Sequence, residues 1–122
     1  MATGRKERTF THEDRQRFRR AVELYLEECY RQKKAARGQD FAARLGLTAP
    51  YASWLATQLL GSPLVDWMRR KQVEYAATLL RRTPHSVEEI AALAAFGTRS
   101  TFQRVFMRVK KMTPFAYREQ KK

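Results

Sequence analysis

The sequence predicts an all-α fold, and three observations carry that prediction. Apolar residues recur every three or four positions in one segment after another. No stretch alternates with a period of two, so no strand is expected. Between the periodic segments stand Ser/Thr residues, glycines and prolines at the places where helices start and stop.

The elements follow in order. Residues 1–10 read as a flexible basic arm. Thr11-His-Glu-Asp14 is a capping box with Asp in the reciprocal position. In the helix behind it, Phe18, Val22, Tyr25, Leu26 and Cys29 share one face. Lys33-Lys-Ala-Ala-Arg-Gly38 is expected to end that helix, with cations in the last turn and a glycine after them. A short helix over Gln39–Leu45 carries Phe41, Ala42 and Leu45. After the turn Gly46-Leu47, Thr48 is placed to cap a helix running to Leu60, with Pro50 tolerated in its first turn. Ala52, Leu55, Ala56 and Leu59 form its apolar face, and Gly61 stops it. Ser62-Pro63 restarts the chain, serine as N-cap and proline as first helical residue. The helix over 64–82 carries Trp67, Val73, Ala76, Leu79 and Leu80, and Thr83-Pro84 ends it. Ser86-Val-Glu-Glu89 is a full capping box, followed by Val87, Ile90, Ala91 and Ala94 on one face. After the Phe96-Gly97 turn, Phe102, Val105, Phe106 and Val109 mark a helix over Thr98–Val109. Thr113-Pro114 opens a last short helix with Phe115 and Tyr117. About seven helices result.

One pattern occurs twice, about 50 residues apart: a short Ala-containing helix, a tight turn with a glycine, and a second amphipathic helix. Each copy reads as a helix-turn-helix, a motif whose second helix the major groove of DNA is wide enough to admit. The expected organisation is a first unit over 11–63, a linker helix over 64–83 and a second unit over 84–122. A joining helix of 18 residues is about 27 Å long, near the ~34 Å repeat of major-groove faces on one side of a duplex.

Charge points to the same partner. The chain has 122 residues, with 25 Lys+Arg against 12 Asp+Glu, a net +13. Residues 1–37 hold 11 basic and 6 acidic side chains, and residues 69–122 hold 13 and 4. The stretch between them has 1 basic and 2 acidic side chains, so the attraction to a polyanion sits at the two ends. Such a balance implies nucleic acid. Hydrophobic content of 43% excludes a wholly disordered basic tail. A single cysteine, Cys29, excludes an internal disulfide and a multi-thiolate zinc site, and reads as a small core residue. His12 and His85 each precede or open a helix, far apart, and do not form a metal set. No Gly-rich phosphate loop, paired catalytic carboxylates or nucleophile triad is present, so no enzyme, cofactor or small-molecule ligand site is expected. No apolar run has the length of a membrane span, and Met1–Phe10 lacks the apolar segment of a signal peptide. A cytoplasmic, nucleoid-associated protein is the expectation.

The second half carries a resemblance. Arg70-Lys-Gln-Val-Glu-Tyr-Ala-Ala-Thr-Leu-Leu80, Val87-Glu-Glu-Ile-Ala91, Ala95-Phe96, Ser100-Thr-Phe102, Arg104-Val-Phe106, Thr113-Pro114 and Tyr117-Arg118, in that order, resemble the DNA-binding domain of the AraC/XylS family of bacterial transcription regulators. The likeness spans about residues 15–118. It implies seven helices, two helix-turn-helix units and DNA binding without catalysis. It also implies no sensor domain within this chain, as in the smallest family members. The departures are informative. The family's usual Gly-Phe is Ala95-Phe96, and the glycine before the final Ser/Thr-Pro is Lys111. An arginine or other polar reader of the first unit is Trp54, a bulky aromatic is Ala56, and a common lysine is Thr57.

By that resemblance Arg99, Gln103 and Arg104 fall on base-reading positions of the second recognition helix. Arginine can pair with guanine and glutamine with adenine. Thr98 and Ser100 stand at its first turn, where Ser100 either meets DNA or serves the helix. Arg108, Lys110 and Lys111 suit phosphates better than bases. The alternative for all of them is a solvated charged face. Arg69, Arg70 and Lys71 are not assigned as readers, because an arginine here is often structural in the family, pairing across the units. On the first unit, Ala49, Pro50, Ser53, Trp54 and Thr57 occupy the outward face. Trp54 is read as facing outward, against a thymine methyl, a sugar or a protein, with burial in the core as the alternative. The expected function is a sequence-specific double-stranded DNA-binding transcription regulator that reads adjacent major-groove segments, mainly through the second recognition helix. Activation would add RNA polymerase as a partner, at a contact the sequence does not locate. The rivals are a protein-interaction module with a degenerate first unit, and a sequence-neutral nucleic-acid binder.

Overall fold

A computed structural model describes residues 9–120 of the chain. Residues 1–8, most of the expected arm, and the last two lysines lie outside the described residues. Among the described residues seven helices follow in order: α1 (His12–Gln32), α2 (Gly38–Arg44), α3 (Ala49–Leu60), α4 (Leu64–Arg82), α5 (Val87–Leu93), α6 (Arg99–Lys110) and α7 (Pro114–Gln120). There is no strand among the described residues.

Both capping boxes form. The Asp14 amide donates to Thr11 Oγ1 at 3.0 Å and the Thr11 amide to Asp14 Oδ2 at 2.9 Å. Ser86 and Glu89 repeat the exchange at 3.1 and 2.7 Å. Thr48 caps α3 and Thr98 caps α6, each accepting from the amide three residues on. These bonds satisfy amides that a helix start leaves without partners.

Two boundaries differ from expectation. α1 stops at Gln32, where Lys33 takes the left-handed conformation and returns its amide to Cys29 and Tyr30, five residues before Gly38. Gly38 instead opens α2. A β-carbon there would lie 3.0 Å from Val65 Cγ2, so the absent side chain lets α2 approach the start of α4. At the other restart, Pro63 is itself the N-cap and Leu64 the first helical residue. Ser62 does not cap; its hydroxyl accepts from Arg70 Nη2 at 2.8 Å.

The helices enclose two apolar clusters, and α4 belongs to both. Leu64, Trp67 and Met68 join Phe18, Val22, Tyr25, Leu26, Phe41, Ala52, Ala56 and Leu59 in the first. Val73, Ala76, Ala77 and Leu80 join Ile90, Ala91, Phe96, Phe102, Val105, Phe106 and Tyr117 in the second. Burying each of these large side chains contributes about 1.5–3 kcal/mol relative to exposure. At the junction stands Gln72, fully buried, at the fourth-residue interval shared by Leu64, Met68, Ala76 and Leu80. Its amide nitrogen donates to the carbonyls of Ala94 (3.0 Å) and Ala95 (2.8 Å) in the α5–α6 turn. The Ala36 amide also bonds to the Ala95 carbonyl at 3.0 Å. Tyr30 of α1 stacks on Tyr75 of α4 at 4.4 Å. The two helix-turn-helix units are therefore hydrogen-bonded and packed to one another through α4 and the α1–α2 loop.

The internal repeat holds down to single bonds. In the first unit Leu47 N–H returns to Ala42 O and Gly46 N–H to Ala43 O; in the second Phe96 N–H returns to Ala91 O and Ala95 N–H to Ala92 O. This is the pattern of a helix closed by a left-handed residue. Gly46 takes that conformation at φ 70° and Ala95 takes it at φ 64°.

Candidate nucleic-acid interface

On α6 the core side is Phe102, Val105 and Phe106, all buried. The residues at 100, 103, 104 and 107 (i, i+3, i+4, i+7) therefore share the opposite face. Ser100, Gln103, Arg104 and Met107 are all exposed there. Thr98 is the N-cap, its hydroxyl oxygen accepting from Thr101 N–H at 3.1 Å. Arg99 is exposed, and its guanidinium is ion-paired with the Glu88 carboxylate of α5. Arg108 and Lys111 turn to the side of α4, where with Asp66, Arg69, Arg70 and Val109 they line a cleft.

That cleft is strongly cationic. Arg69 lies half-buried with its guanidinium 5.7 Å from the centre of the Phe96 ring, and donates to Gln72 Oε1 at 3.3 Å. Burial lowers its pKa, and the like charges of Arg104, Arg108 and Arg37 lower it further. Four cations from α4 and from α6 with its C-cap thus line one concavity against the single carboxylate of Asp66, an arrangement that an anion relieves. Lys111 takes a positive φ of 64° and closes α6 with its amide on Met107 O at 2.8 Å. The turn is kept although the residue is not glycine.

α3 presents a different surface. It has no Asp, Glu, Lys or Arg. Ala52, Ala56 and Leu59 are buried, and Leu55, expected beside them, is half-buried. Trp54 and Thr57 form the crest, with Trp54 48% exposed, which places its ring outside the core. Tyr51, 46% exposed, stacks on Trp54 at 5.7 Å, and Phe10 meets Trp54 edge-on at 6.3 Å. The Thr57 hydroxyl donates back to Ser53 O at 3.2 Å. Ala49, Pro50 and Ser53 lie on the flank toward α4 and line a second cleft with Arg37, Gln39 and Val65. This cleft and the cationic one meet neighbouring residues of α4, Val65 and Asp66. The flank of α3 and the C-terminal end of α6 thus both meet the first turns of α4.

Several residues of this surface lack a sequence signal strong enough to assign them. Arg37 and Gln39 come to the second cleft where Gly38 lets α2 lie against Val65. Gln58 is exposed one turn along α3 from Trp54. The cross-unit tie expected of an arginine at 69–71 is shared: Arg69 reaches Phe96 while Gln72 makes the backbone bonds. A lone glutamine in an apolar four-residue stripe was the available signal. Lys71 lies over the Trp67 ring instead, and Lys110 pairs with Glu74 at 3.0 Å. Among the described residues no group of three His, Cys, Asp or Glu is placed to hold a metal ion, and no helix is long and apolar enough to cross a membrane.

Two helix-turn-helix units bound through one shared helix define a double helix-turn-helix protein. Residues 41–120 match a family model described as a helix-turn-helix domain. The chain belongs to this family, in its AraC-type form. It is 33% identical over 82 residues to the transposon Tn10 TetD protein of Escherichia coli, a match covering 67% of this chain and 59% of that protein. This chain therefore spans less than two thirds of that relative's length. Its structure is similar to the C-terminal domain of the two-component response regulator YesN from Fusobacterium nucleatum, with a TM-score of 0.72 and 26% identity over 82% of this chain and 96% of that one. It also shares its fold with the DNA-binding domain of the global transcriptional factor AdpA, solved in complex with a target DNA (TM-score 0.73, 24% identity, 84% of this chain and 90% of that one).

Proposed function

We propose that the protein is a sequence-specific regulator of transcription that binds double-stranded DNA, with α6 as its principal reading helix. The observation that carries this reading is the outward face of α6. Ser100, Gln103 and Arg104 stand exposed on one face of a helix whose other face is core, beside a cleft of arginines that have like-charged neighbours. Arg104 and Gln103 have the donor geometry for guanine and adenine edges, and Arg108, Lys111, Arg69 and Arg70 suit phosphates. Arg99 reaches DNA after leaving Glu88. In this reading α3 lies in the adjoining groove segment, Trp54 and Thr57 toward the bases and Ala49, Pro50 and Ser53 along its flank, and the basic residues of the arm and of α1 add salt-sensitive affinity. RNA polymerase is the proposed protein partner for activation. The DNA complex of AdpA and the family membership support the reading.

Selection of binding sites from a random duplex pool, followed by footprinting, tests it. The expected result is a bipartite site protected in two segments about one helical turn apart. Arg104→Ala should then relax one base position by about 1–3 kcal/mol. Failure to enrich any motif would refute sequence-specific regulation. The exposed Tyr51–Trp54 pair is the one observation favouring a protein-interaction module, and a single short protected motif would support that role for α3.

A further inference from the structure

From the chemistry of α3 we infer that the first unit reads 5-methylpyrimidines: it recognises the methyl group that thymine, or methylated cytosine, projects into the major groove. The inference rests on the DNA-binding reading above and names what one half of that site detects.

The argument is one of elimination by chemistry. Base edges in the major groove present hydrogen-bond donors, acceptors and one apolar group, the C5-methyl. The side chains that α3 places toward solvent in its first two turns are Ala49, Pro50, Tyr51, Ser53 and Trp54, none with a charge or an amide; Thr57 and the exposed amide of Gln58 follow in the third turn. Thr57 has already spent its hydroxyl proton on Ser53 O, and Ser53 is half-buried on the flank. Helix-turn-helix units reach bases with the early residues of the second helix, which here are these. In those two turns only the hydroxyls of Tyr51 and Ser53 can distinguish donors from acceptors. The face has a large apolar surface with which to distinguish a methyl from its absence.

That surface is also held in shape. Trp54 meets two other rings, Tyr51 stacked on it at 5.7 Å and Phe10 edge-on at 6.3 Å. A ring held by two neighbours loses little freedom on contact, so a methyl seated on it adds affinity with little ordering cost. α6 is the contrast: its face carries Gln103 and Arg104, groups suited to hydrogen-bonding edges. The two units are thereby predicted to read by different means, one by hydrogen bonds and one by apolar contact.

The test uses the full chain and the duplex that site selection yields. Each thymine is replaced in turn by deoxyuridine, which pairs identically and lacks only the methyl. The expected result is a loss of about fourfold per contacted methyl, as befits burial of one such group, confined to the segment protected by α3. Trp54→Ala should bind the thymine duplex and the uracil duplex equally, and should fold normally because its ring lies outside the core. Replacing a contacted T·A pair by 5-methylcytosine·G should bind better than C·G if the methyl itself is read. A thymine-containing motif from an unmethylated pool identifies thymine as the source; a preference that emerges only in a methylated pool identifies 5-methylcytosine. Equal binding of thymine and uracil duplexes throughout, with Arg104→Ala still weakening the other segment, would overturn this inference and leave the regulator reading intact. Normal DNA affinity in Trp54→Ala would overturn it too, and assign the aromatic pair to a protein partner. Absence of any duplex binding would overturn both.

Discussion

Replacing Lys111 by glycine should make the protein more stable while weakening its hold on DNA. Lys111 closes α6 in the left-handed conformation, φ 64°, with its side chain exposed. For an L-residue that conformation costs roughly 1–2 kcal/mol, because Cβ crowds the carbonyl oxygen. Glycine escapes the crowding but orders a more flexible unfolded chain, at about 0.5–1 kcal/mol. The net gain is about 1 kcal/mol, since no buried contact is lost with the lysine side chain. For a chain of 122 residues that is a rise in Tm of about 4 °C. Lys33→Gly, at φ 55° and on the end of α1, should behave alike. Ala95→Gly is the discriminating companion. Its φ is also 64°, but its methyl is buried in the first cluster, and losing it costs about 0.8 kcal/mol. The two effects nearly cancel, so Ala95→Gly should leave Tm close to unchanged. Lys111→Ala, which removes charge but keeps Cβ, should not stabilise. In DNA titrations at several salt concentrations, both Lys111 variants should lower the slope of log K against log salt by about 0.9. Calorimetry and urea denaturation read the stability. A Tm that stays level or falls in Lys111→Gly and Lys33→Gly alike would refute the backbone argument.

Glu88→Gln should raise DNA affinity by up to about fivefold in fluorescence anisotropy, because Arg99 no longer leaves an exposed ion pair to reach the duplex; an unchanged or lower affinity would remove Arg99 from the interface. Gln72→Leu should destabilise by about 2 kcal/mol in urea unfolding, since the Ala94 carbonyl is left buried without a donor while Ala95 keeps the Ala36 bond; a neutral result would show that the tie between units contributes nothing. Glu89 has its carboxyl held below the usual glutamate value by the Ser86 backbone amide, so its contribution is fully present above the unfolded pKa and is lost as pH falls through the lower folded one. Glu89→Gln should therefore flatten the acid limb of stability against pH, and an unaltered limb would contradict the assignment.

Helix positions were legible because their signals are local. A threonine or serine three residues before a carboxylate, with apolar residues following at helical spacing, marks α1 and α5 within a residue or two. The two α-helical boundaries that differ depend on non-local contacts. Gly38 looks like a terminator until α4 is seen 3.0 Å from where its β-carbon would stand. Ser62 looks like a cap until Arg70, a turn and more along α4, claims its hydroxyl. The outward residues of α6 could be chosen by subtracting the core stripe, and all of them are exposed. What the one-dimensional pattern hides is pairing: Arg99 with Glu88, and Trp54 with Phe10, whose ring belongs to a segment read as arm. Gln72 shows the same limit. Its polarity in an apolar stripe is visible, but its carbonyl partners lie 22 and 23 residues away.

The bonds that join Gln72 and Ala36 to the α5–α6 turn have a consequence for the genome rather than for the protein. A reader with two loosely tethered heads can tolerate variable gaps between the words it recognises. Here the separation and angle between α3 and α6 are set by a 19-residue helix cross-braced to both units. One added base pair would shift the second word by about 3.4 Å and turn it by roughly 35°, which only distortion of the duplex could absorb. If both units read DNA as proposed, the protein would act as a gauge of length, and spacing should be under tighter selection than any single letter that the first unit touches.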